Sequence, residues 1–156
     1  MLRTRSVVFV HAAILAAACG SSGPATNFST TLSAANEVPA NTSTATGTAT
    51  FALSGTTVNY TVTYSGLSGP PSASHMHVGA TTASGGVVVP FTIPTGATAS
   101  GTFSGSFTQA DIRAQTNPVV NTLDDLLVQM RAGNTYTNIH TSTYPGGEIR
   151  GQNQPK

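Results

Sequence analysis

Apolar and polar residues alternate along much of the chain with the two-residue period of a β-strand. The clearest case is segment 58–64, in which valine and tyrosine alternate with asparagine and threonine. Because successive side chains of a strand point to opposite faces, this pattern predicts a strand with one buried and one exposed face. Shorter patterns of the same kind, bounded by Gly, Pro, Ser or Asn, predict further strands over 28–32, 48–53, 73–78, 87–93, 101–107, 135–140 and 147–152.

One segment has a helical period instead. Leucine or methionine recurs at positions 123, 126, 127 and 130, the spacing of an amphipathic helix that packs on the sheet. Thr122 is placed as its N-cap and Gly133 as its stop signal, and a short helical turn is predicted over 109–114. The whole pattern predicts an all-β fold, an antiparallel Greek-key sandwich or flattened barrel, with one helical insertion near 122–132.

The composition agrees with such a fold and excludes one class of partner. The chain has 26 Thr and 16 Gly, which favour strands and turns over helices. After the first 18 residues it carries 4 basic and 5 acidic side chains. Nucleic-acid-binding proteins need a basic surface, so nucleic acid is not an expected partner.

The first 18 residues predict an export signal, because two arginines precede an apolar segment that is too short for a permanent membrane anchor. Residues 15–20 resemble the bacterial lipoprotein signal, in which Cys19 becomes the lipidated N-terminus; ordinary cleavage after Ala18 is the alternative. Residues 19–27 predict a flexible tether. We therefore expect a protein held in the bacterial cell envelope, outside the cytoplasm, by a lipid on Cys19, and a secreted protein if Cys19 is not lipidated.

Three histidines carry the candidate chemistry. His75 and His77 form a His-x-His pair that a strand would project from one face, and a neighbouring strand would bring His140 beside them. Converging imidazoles bind copper or zinc, provided that their nitrogens lie within about 5 Å of one another. The same residues also fit a hydrogen-bonded cluster that organises the sheet without a metal. The sequence leaves both interpretations open.

Polar residues on the same predicted strands are candidate supports for this cluster. By alternation, Tyr136 and Asn138 share a face with the third histidine. Glu148 and Arg150 have the same i, i+2 relation, which predicts an ion pair that fixes the last strand. In the alternative, Glu148 orients a histidine and Arg150 attracts an anion to the metal. Glu37 is a third acidic candidate near the cluster.

Four motifs, taken in their order, carry a family resemblance. They are Asn-Glu-Val-Pro at 36–39, Ser-His-Met-His-Val-Gly at 74–79, Asn-Ile-His-Thr at 138–141 and Gly-Glu-Ile-Arg-Gly-Gln at 147–152. Together they resemble the CHRD domain, which is repeated in chordin and occurs singly in bacterial secreted proteins. The likeness covers residues 28–152 and leaves 153–156 as a tail. It implies no enzymatic activity. Together with the lipoprotein-like N-terminus, it leads us to expect a module that acts by binding, with another envelope protein or a metal ion as its ligand.

A second, weaker resemblance implies an alternative function. Cu,Zn superoxide dismutases are Greek-key barrels with a His-x-His pair, a further copper-binding histidine near the C-terminal end and an arginine beyond it. His75, His77, His140 and Arg150 occur in that order. The alternative is thus a copper-dependent redox protein in which Arg150 is catalytic, and the predicted fold is immunoglobulin-like or dismutase-like. A dismutase's zinc site and disulfide are missing, because no histidine lies between His77 and His140 and Cys19 is the only cysteine.

Overall fold

A computed structural model of the chain describes residues 23–156, so the predicted signal and Cys19, the predicted lipidation site, lie outside the described residues. The strands are β1 (Asn27–Ser33), β2 (Thr46–Ser54), β3 (Thr57–Ser65), β4 (Pro71–Val78), β5 (Gly86–Pro90), β6 (Gly101–Phe107), β7 (Gln115–Thr116), β8 (Val119–Val120), β9 (Thr135–Thr141), β10 (Ile149–Gln152) and β11 (Gln154–Pro155). Helix α1 spans Leu123–Arg131, and short 3-10 turns span Ala34–Asn36 and Gln109–Asp111.

Most of the strands form one antiparallel sheet. Its order is β5-β4-β9-β10-β1-β2-β3-β6, with β11 paired to the edge of β1, while β7 and β8 form a separate small hairpin. The sheet curls into a nearly closed, flattened barrel around one hydrophobic core. The predicted all-β class with a flattened barrel is therefore confirmed.

The two halves of the sheet differ in what covers their outer faces. In β3 the four apolar residues of segment 58–64 are buried and the residues between them are exposed, as alternation predicts. In β9, by contrast, every residue from Thr135 to Ile139 is buried, and β4 is buried on both faces towards its C-terminal end. Met76 points into the core with 0% exposure, so the adjacent histidines of β4 point outwards. The outer face of β4 and β9 must therefore be covered by other parts of the chain.

Helix α1 follows the predicted capping signals. The Thr122 hydroxyl accepts a hydrogen bond from the Asp125 N–H at 3.0 Å, and the Asp125 carboxylate accepts one from the Thr122 N–H at 3.0 Å. Gly133 has a positive φ of 69°, the conformation that ends a helix most easily at glycine. Leu123, Leu126, Leu127 and Met130 are buried against the core, whereas Val128 is exposed. Within residues 23–156, no helix combines the length and apolar character that a membrane span requires.

Two strand boundaries differ from the prediction for local reasons. The strand predicted over 147–152 begins only at Ile149, because Gly147 has a φ of 131° and lies in the preceding turn. The strand predicted over 87–93 runs from Gly86 to Pro90. It ends at a proline, which has no N–H to donate to a neighbouring strand.

Candidate metal centre

The outer face of β4 and β9 carries all three histidines. In the antiparallel pairing, His75 lies opposite Asn138 and His77 lies opposite Tyr136. His140 is two residues beyond Asn138, so its side chain leaves β9 on the same side of the sheet. The structure therefore brings together the three rings that strand alternation predicted to converge.

The ring nitrogens of the cluster are close enough for a shared ion. One nitrogen from each of His75, His77 and His140 lies within 4.8 Å of the other two. The shortest separation joins His75 Nδ1 to His140 Nε2, at 3.2 Å. Nitrogens bound to one tetrahedral metal lie about 3.3 Å apart, so no pair would have to approach by more than roughly 1.5 Å. His75 is half-buried and its ring has one hydrogen bond, which makes it the ring that can move most easily.

Backbone carbonyls fix the proton on two of the rings. His77 Nδ1 lies 2.9 Å from the carbonyl oxygen of Gly85, and His140 Nδ1 lies 3.0 Å from that of Pro145. A carbonyl oxygen only accepts hydrogen bonds, so both Nδ1 atoms must carry a proton. In a neutral imidazole the other nitrogen then has a free lone pair. The Nε2 lone pairs of His77 and His140 are therefore both available.

Asn138 lies between these two lone pairs. Its Oδ1 is 3.2 Å from His77 Nε2 and 3.1 Å from His140 Nε2, and the residue is 3% exposed. An amide oxygen is itself an acceptor, so three acceptor atoms meet at the centre of the cluster. His75 Nδ1 is the one ring nitrogen that donates there, to His140. With the amide in this orientation the cluster has three acceptors and one donor, a set that a bound cation can satisfy.

Burial keeps the three imidazoles neutral. Desolvation lowers the pKa of His75 to about 4. Repulsion from protonated His140 and His77 and from the Arg113 guanidinium adds to this effect. Desolvation is also the largest cause lowering the pKa of His77 and of His140, although their hydrogen bonds to backbone carbonyls act in the opposite direction. Metal ions bind the neutral ring, so the cluster has the protonation state of a ligand at pH 7.

Arg150 and Tyr136 hold the loop 79–85, which joins β4 to β5, over this side of the sheet. Arg150 Nη2 donates to the carbonyl oxygens of Ala80 at 2.9 Å, Ala83 at 3.0 Å and Thr81 at 3.4 Å. Its Cζ lies 3.4 Å from the centre of the Tyr136 ring. That ring also stacks on His77, with 4.6 Å between centroids and 3° between planes. Two groups this close cannot share one face of the ring, so Arg150, Tyr136 and His77 form a stack under the loop.

The structure does not form the ion pair predicted between Glu148 and Arg150. Glu148 precedes β10 and follows a glycine with positive φ, so the i, i+2 alternation of a strand does not apply to it. Arg150, at 2% exposure, donates to the loop carbonyls instead. Nor does the structure place Glu148 against a histidine. The other predicted supports, Asn138 and Tyr136, do contact the histidine rings.

Glu148 is the centre of a separate polar cluster. Its Oε1 accepts from the Ser43 hydroxyl at 2.7 Å and the Ser68 N–H at 2.8 Å, and its Oε2 accepts from the hydroxyls of Ser68 at 2.7 Å and Thr141 at 2.6 Å. Desolvation alone would raise the pKa of Glu148. The hydrogen bonds from Thr141, Ser68 and Ser43 outweigh it and hold the pKa below its ordinary value.

Glu37 is close enough to Arg150 to feel its charge but is not a member of the histidine cluster. Desolvation raises its pKa to about 7, against the opposing effects of the Arg150 charge and the Val38 N–H. Its Oε1 is buried without a hydrogen-bond partner. Gly147 packs directly on this carboxyl group, and its φ of 131° would strain any other residue at position 147. Glu37 is thus a buried acid with an unsatisfied oxygen.

Sequence reasoning missed the two backbone carbonyls that fix the histidine protons. Every residue has a carbonyl group, so no residue type marks Gly85 or Pro145 as a partner. A signal did exist at Gly85, where the backbone approaches the Val78 carbonyl so closely that any other residue would clash. A glycine pair at 85–86, eight residues after His77, indicates such a close approach.

Comparison with known protein families places the chain in one of them. The family model of the CHRD domain matches residues 28–153, nearly the whole described part. The chain therefore belongs to the CHRD domain family, as its motifs predicted. No match was found among curated proteins or among solved structures.

Proposed function

We propose that this protein is an extracytoplasmic binding module that holds one Cu(II) or Zn²⁺ ion between His75, His77 and His140. The observation that supports the proposal is the pair of converging Nε2 lone pairs on His77 and His140, each set by an Nδ1–H hydrogen bond to a backbone carbonyl. Metal-binding histidines use the same arrangement, in which the second ring nitrogen donates to a carbonyl or carboxylate. Imidazole ligands suit both copper and zinc.

His75 completes the set after one change of tautomer. Its Nδ1 donates to His140 Nε2 in the metal-free protein. For His75 to bind through Nδ1, the proton on Nδ1 must move to Nε2. Among residues 23–156, His75 Nε2 makes no hydrogen bond that this change would break. This exchange moves no charge, because the ring is neutral before and after it. At pH 7, metal binding therefore does not require any histidine of the cluster to lose a positive charge.

Metal titration tests the proposal. The mature chain, produced without a histidine tag, is titrated with Cu(II) and with Zn²⁺ by calorimetry, and bound metal is counted after dialysis. We expect one ion per chain. The double variant His77→Ala/His140→Ala should bind at least roughly 100-fold more weakly, since the loss of outer partners alone costs 10- to 100-fold in known sites.

A matched control distinguishes this site from weak surface binding. Asp124 is an exposed acid on α1 and does not belong to the histidine cluster, so Asp124→Asn should leave the affinity unchanged. Absence of a stoichiometric ion in the wild-type protein contradicts the proposal. So does an ion that the double variant still retains with wild-type affinity.

We do not extend the proposal to copper redox catalysis. That alternative assigned Arg150 the task of attracting an anion from solvent. The Arg150 side chain is 2% exposed and its Nη2 already donates to three carbonyls of the covering loop. A superoxide dismutation assay on the copper-loaded protein tests the alternative directly, and we expect no activity above that of the His77→Ala/His140→Ala variant.

We also propose that a lipid on Cys19 anchors this module in the cell envelope, where the ligand is the metal ion or a further envelope protein. The support is the lipoprotein-like sequence at 15–20 and the tether that follows it. Globomycin, which blocks lipoprotein signal cleavage, should cause an unprocessed precursor to accumulate in the native host. Cys19→Ser should release the protein from the membrane fraction. Normal processing in the presence of globomycin contradicts the anchor and leaves the metal proposal intact.

A further inference from the structure

The oxygen of Asn138 is placed where a fourth ligand would be. It lies 3.2 Å from His77 Nε2 and 3.1 Å from His140 Nε2, and His140 Nε2 is 3.2 Å from His75 Nδ1. Ligand atoms of a tetrahedral zinc ion lie about 3.3 Å apart. Three of the edges of such a tetrahedron therefore already have the right length in the metal-free protein.

The position of Asn138 is fixed by the sheet. It lies near the middle of β9, paired with His75 of β4 on one side and with Arg150 of β10 on the other. Its backbone carbonyl also accepts a hydrogen bond from the Ser74 hydroxyl at 2.7 Å. A side chain on a central strand, at 3% exposure, has little freedom to leave the cluster. This differs from a loop residue that only approaches the ion after binding.

At the centre of the cluster, neither of the two histidine nitrogens beside the Asn138 oxygen donates a hydrogen bond to it. Both neighbouring Nε2 atoms have lone pairs, because their rings donate from Nδ1. The oxygen therefore faces two acceptors at hydrogen-bond distance. A cation among the three atoms turns this unfavourable contact into a favourable one. A reversed amide, with its NH₂ group donating to both rings, is the competing arrangement for the metal-free protein.

We propose that Asn138 Oδ1 is the fourth ligand of the ion, so that the site is a closed set of three nitrogens and one oxygen. This inference rests on the metal site proposed above. A closed four-coordinate site has no exchangeable water, which is the pattern of sites that hold a metal rather than use it in catalysis. The domain would then bind the ion without offering it to a substrate.

Azide tests whether a position of the ion is open. It binds to open positions of Cu(II) and changes the visible absorption. We expect azide to leave the spectrum of the copper-loaded wild-type protein unchanged. In Asn138→Ala the missing ligand is replaced by water, so azide should change the spectrum, and copper affinity should fall about tenfold.

Two further variants keep the result interpretable. Asn138→Asp retains an oxygen ligand and adds a negative charge, so it should bind copper more tightly than Asn138→Ala and stay closed to azide. Asn134→Ala, a change at an exposed asparagine just before β9, should behave as the wild-type protein does. If Asn138→Ala fails to fold, the wild-type and Asp spectra still decide the question.

The outcomes separate this inference from the metal proposal. A wild-type protein that binds one copper ion and responds to azide overturns the role of Asn138 while leaving the histidine site in place. Tighter binding in Asn138→Ala has the same meaning and supports the reversed amide. Absence of bound copper in every variant overturns the metal site itself.

Discussion

Two polar clusters meet at adjacent residues of β9 and differ in how their hydrogen bonds balance. Thr141 belongs to the Glu148 cluster, in which two carboxylate oxygens accept four hydrogen bonds. His140 belongs to the histidine cluster, in which two Nε2 lone pairs and an amide oxygen face one donor. The first cluster is complete within the protein, whereas the second has unpaired acceptors that the proposed cation would satisfy. An excess of acceptors over donors, rather than burial alone, is therefore what makes the histidine cluster a candidate ligand site.

This difference has opposite consequences for stability and for binding. Removing Glu148 leaves buried donors without an acceptor, which costs the full desolvation of those groups. Removing His75 costs only the one hydrogen bond of a half-buried ring and so little folding free energy, but it removes a proposed metal ligand.

Replacing Glu148 should give the largest loss of stability. In Glu148→Ala the donors of Ser43, Ser68 and Thr141 lose their acceptor, and we expect a loss of about 3–5 kcal/mol in the free energy of unfolding. Glu148→Gln keeps the shape and should lose less. Urea denaturation of the metal-free protein measures both.

A surface acid provides the control for this change. Asp124→Asn on α1 should alter stability by less than about 0.5 kcal/mol. Copper affinity per folded molecule should be unchanged in Glu148→Gln, because no hydrogen bond joins Glu148 to the histidines. A loss of copper affinity without loss of stability would show that the two clusters are one.

Arg150→Lys should have the next largest effect. Lysine cannot reproduce a planar group that stacks on Tyr136 and donates to several loop carbonyls at once. We expect about 2 kcal/mol of lost stability and faster amide hydrogen exchange over residues 79–85. Arg131→Lys is the matched control, since the Arg131 Nε makes one hydrogen bond, to the Ala25 carbonyl. Equal exchange in both variants would mean that Arg150 does not hold the loop.

The strands and the helix were predictable because their signals are local. A period of two residues marks β3, and a cap, a helical spacing and a glycine mark α1. The small hairpin of β7 and β8 and the pairing of β11 were not predicted, since two-residue strands have no period and depend on the surrounding fold.

The candidate site was predictable only in its side chains. The i, i+2 rule placed His75 and His77 on one face because β4 pairs with β9 in unbroken register from Ala73 to Val78. The same rule failed for Glu148 and Arg150, because a turn at Gly147 puts Glu148 outside the strand. The carbonyl partners that fix the ring protons depend on loop conformation, which a single sequence does not encode in its residue types.

Glu37→Gln should change stability in a pH-dependent way. The folded-state pKa of Glu37 is raised to about 7 from 4.5, so folding favours its protonated form and stability is lost as the pH rises from 4.5 through 7. Gln does not titrate, so the variant should be more stable than the wild type at pH 8, by on the order of 2 kcal/mol, and similar at pH 4. Equal stability at both pH values would contradict the raised pKa.

His75→Ala should give the smallest change in stability at pH 7, less than about 1 kcal/mol in the metal-free protein, because the half-buried ring contributes one hydrogen bond. The folded-state pKa of His75 is lowered to about 4 from 6.5, so the unfolded chain binds more protons between these values and stability falls as the pH drops through them. The variant lacks the side chain that causes this fall in stability, so the difference in stability between it and the wild type should shift in its favour at pH 5. Thermal unfolding in EDTA at pH 5 and 7 measures both effects. A loss as large as that of Glu148→Ala would show that the histidine cluster, too, is structurally complete without an ion.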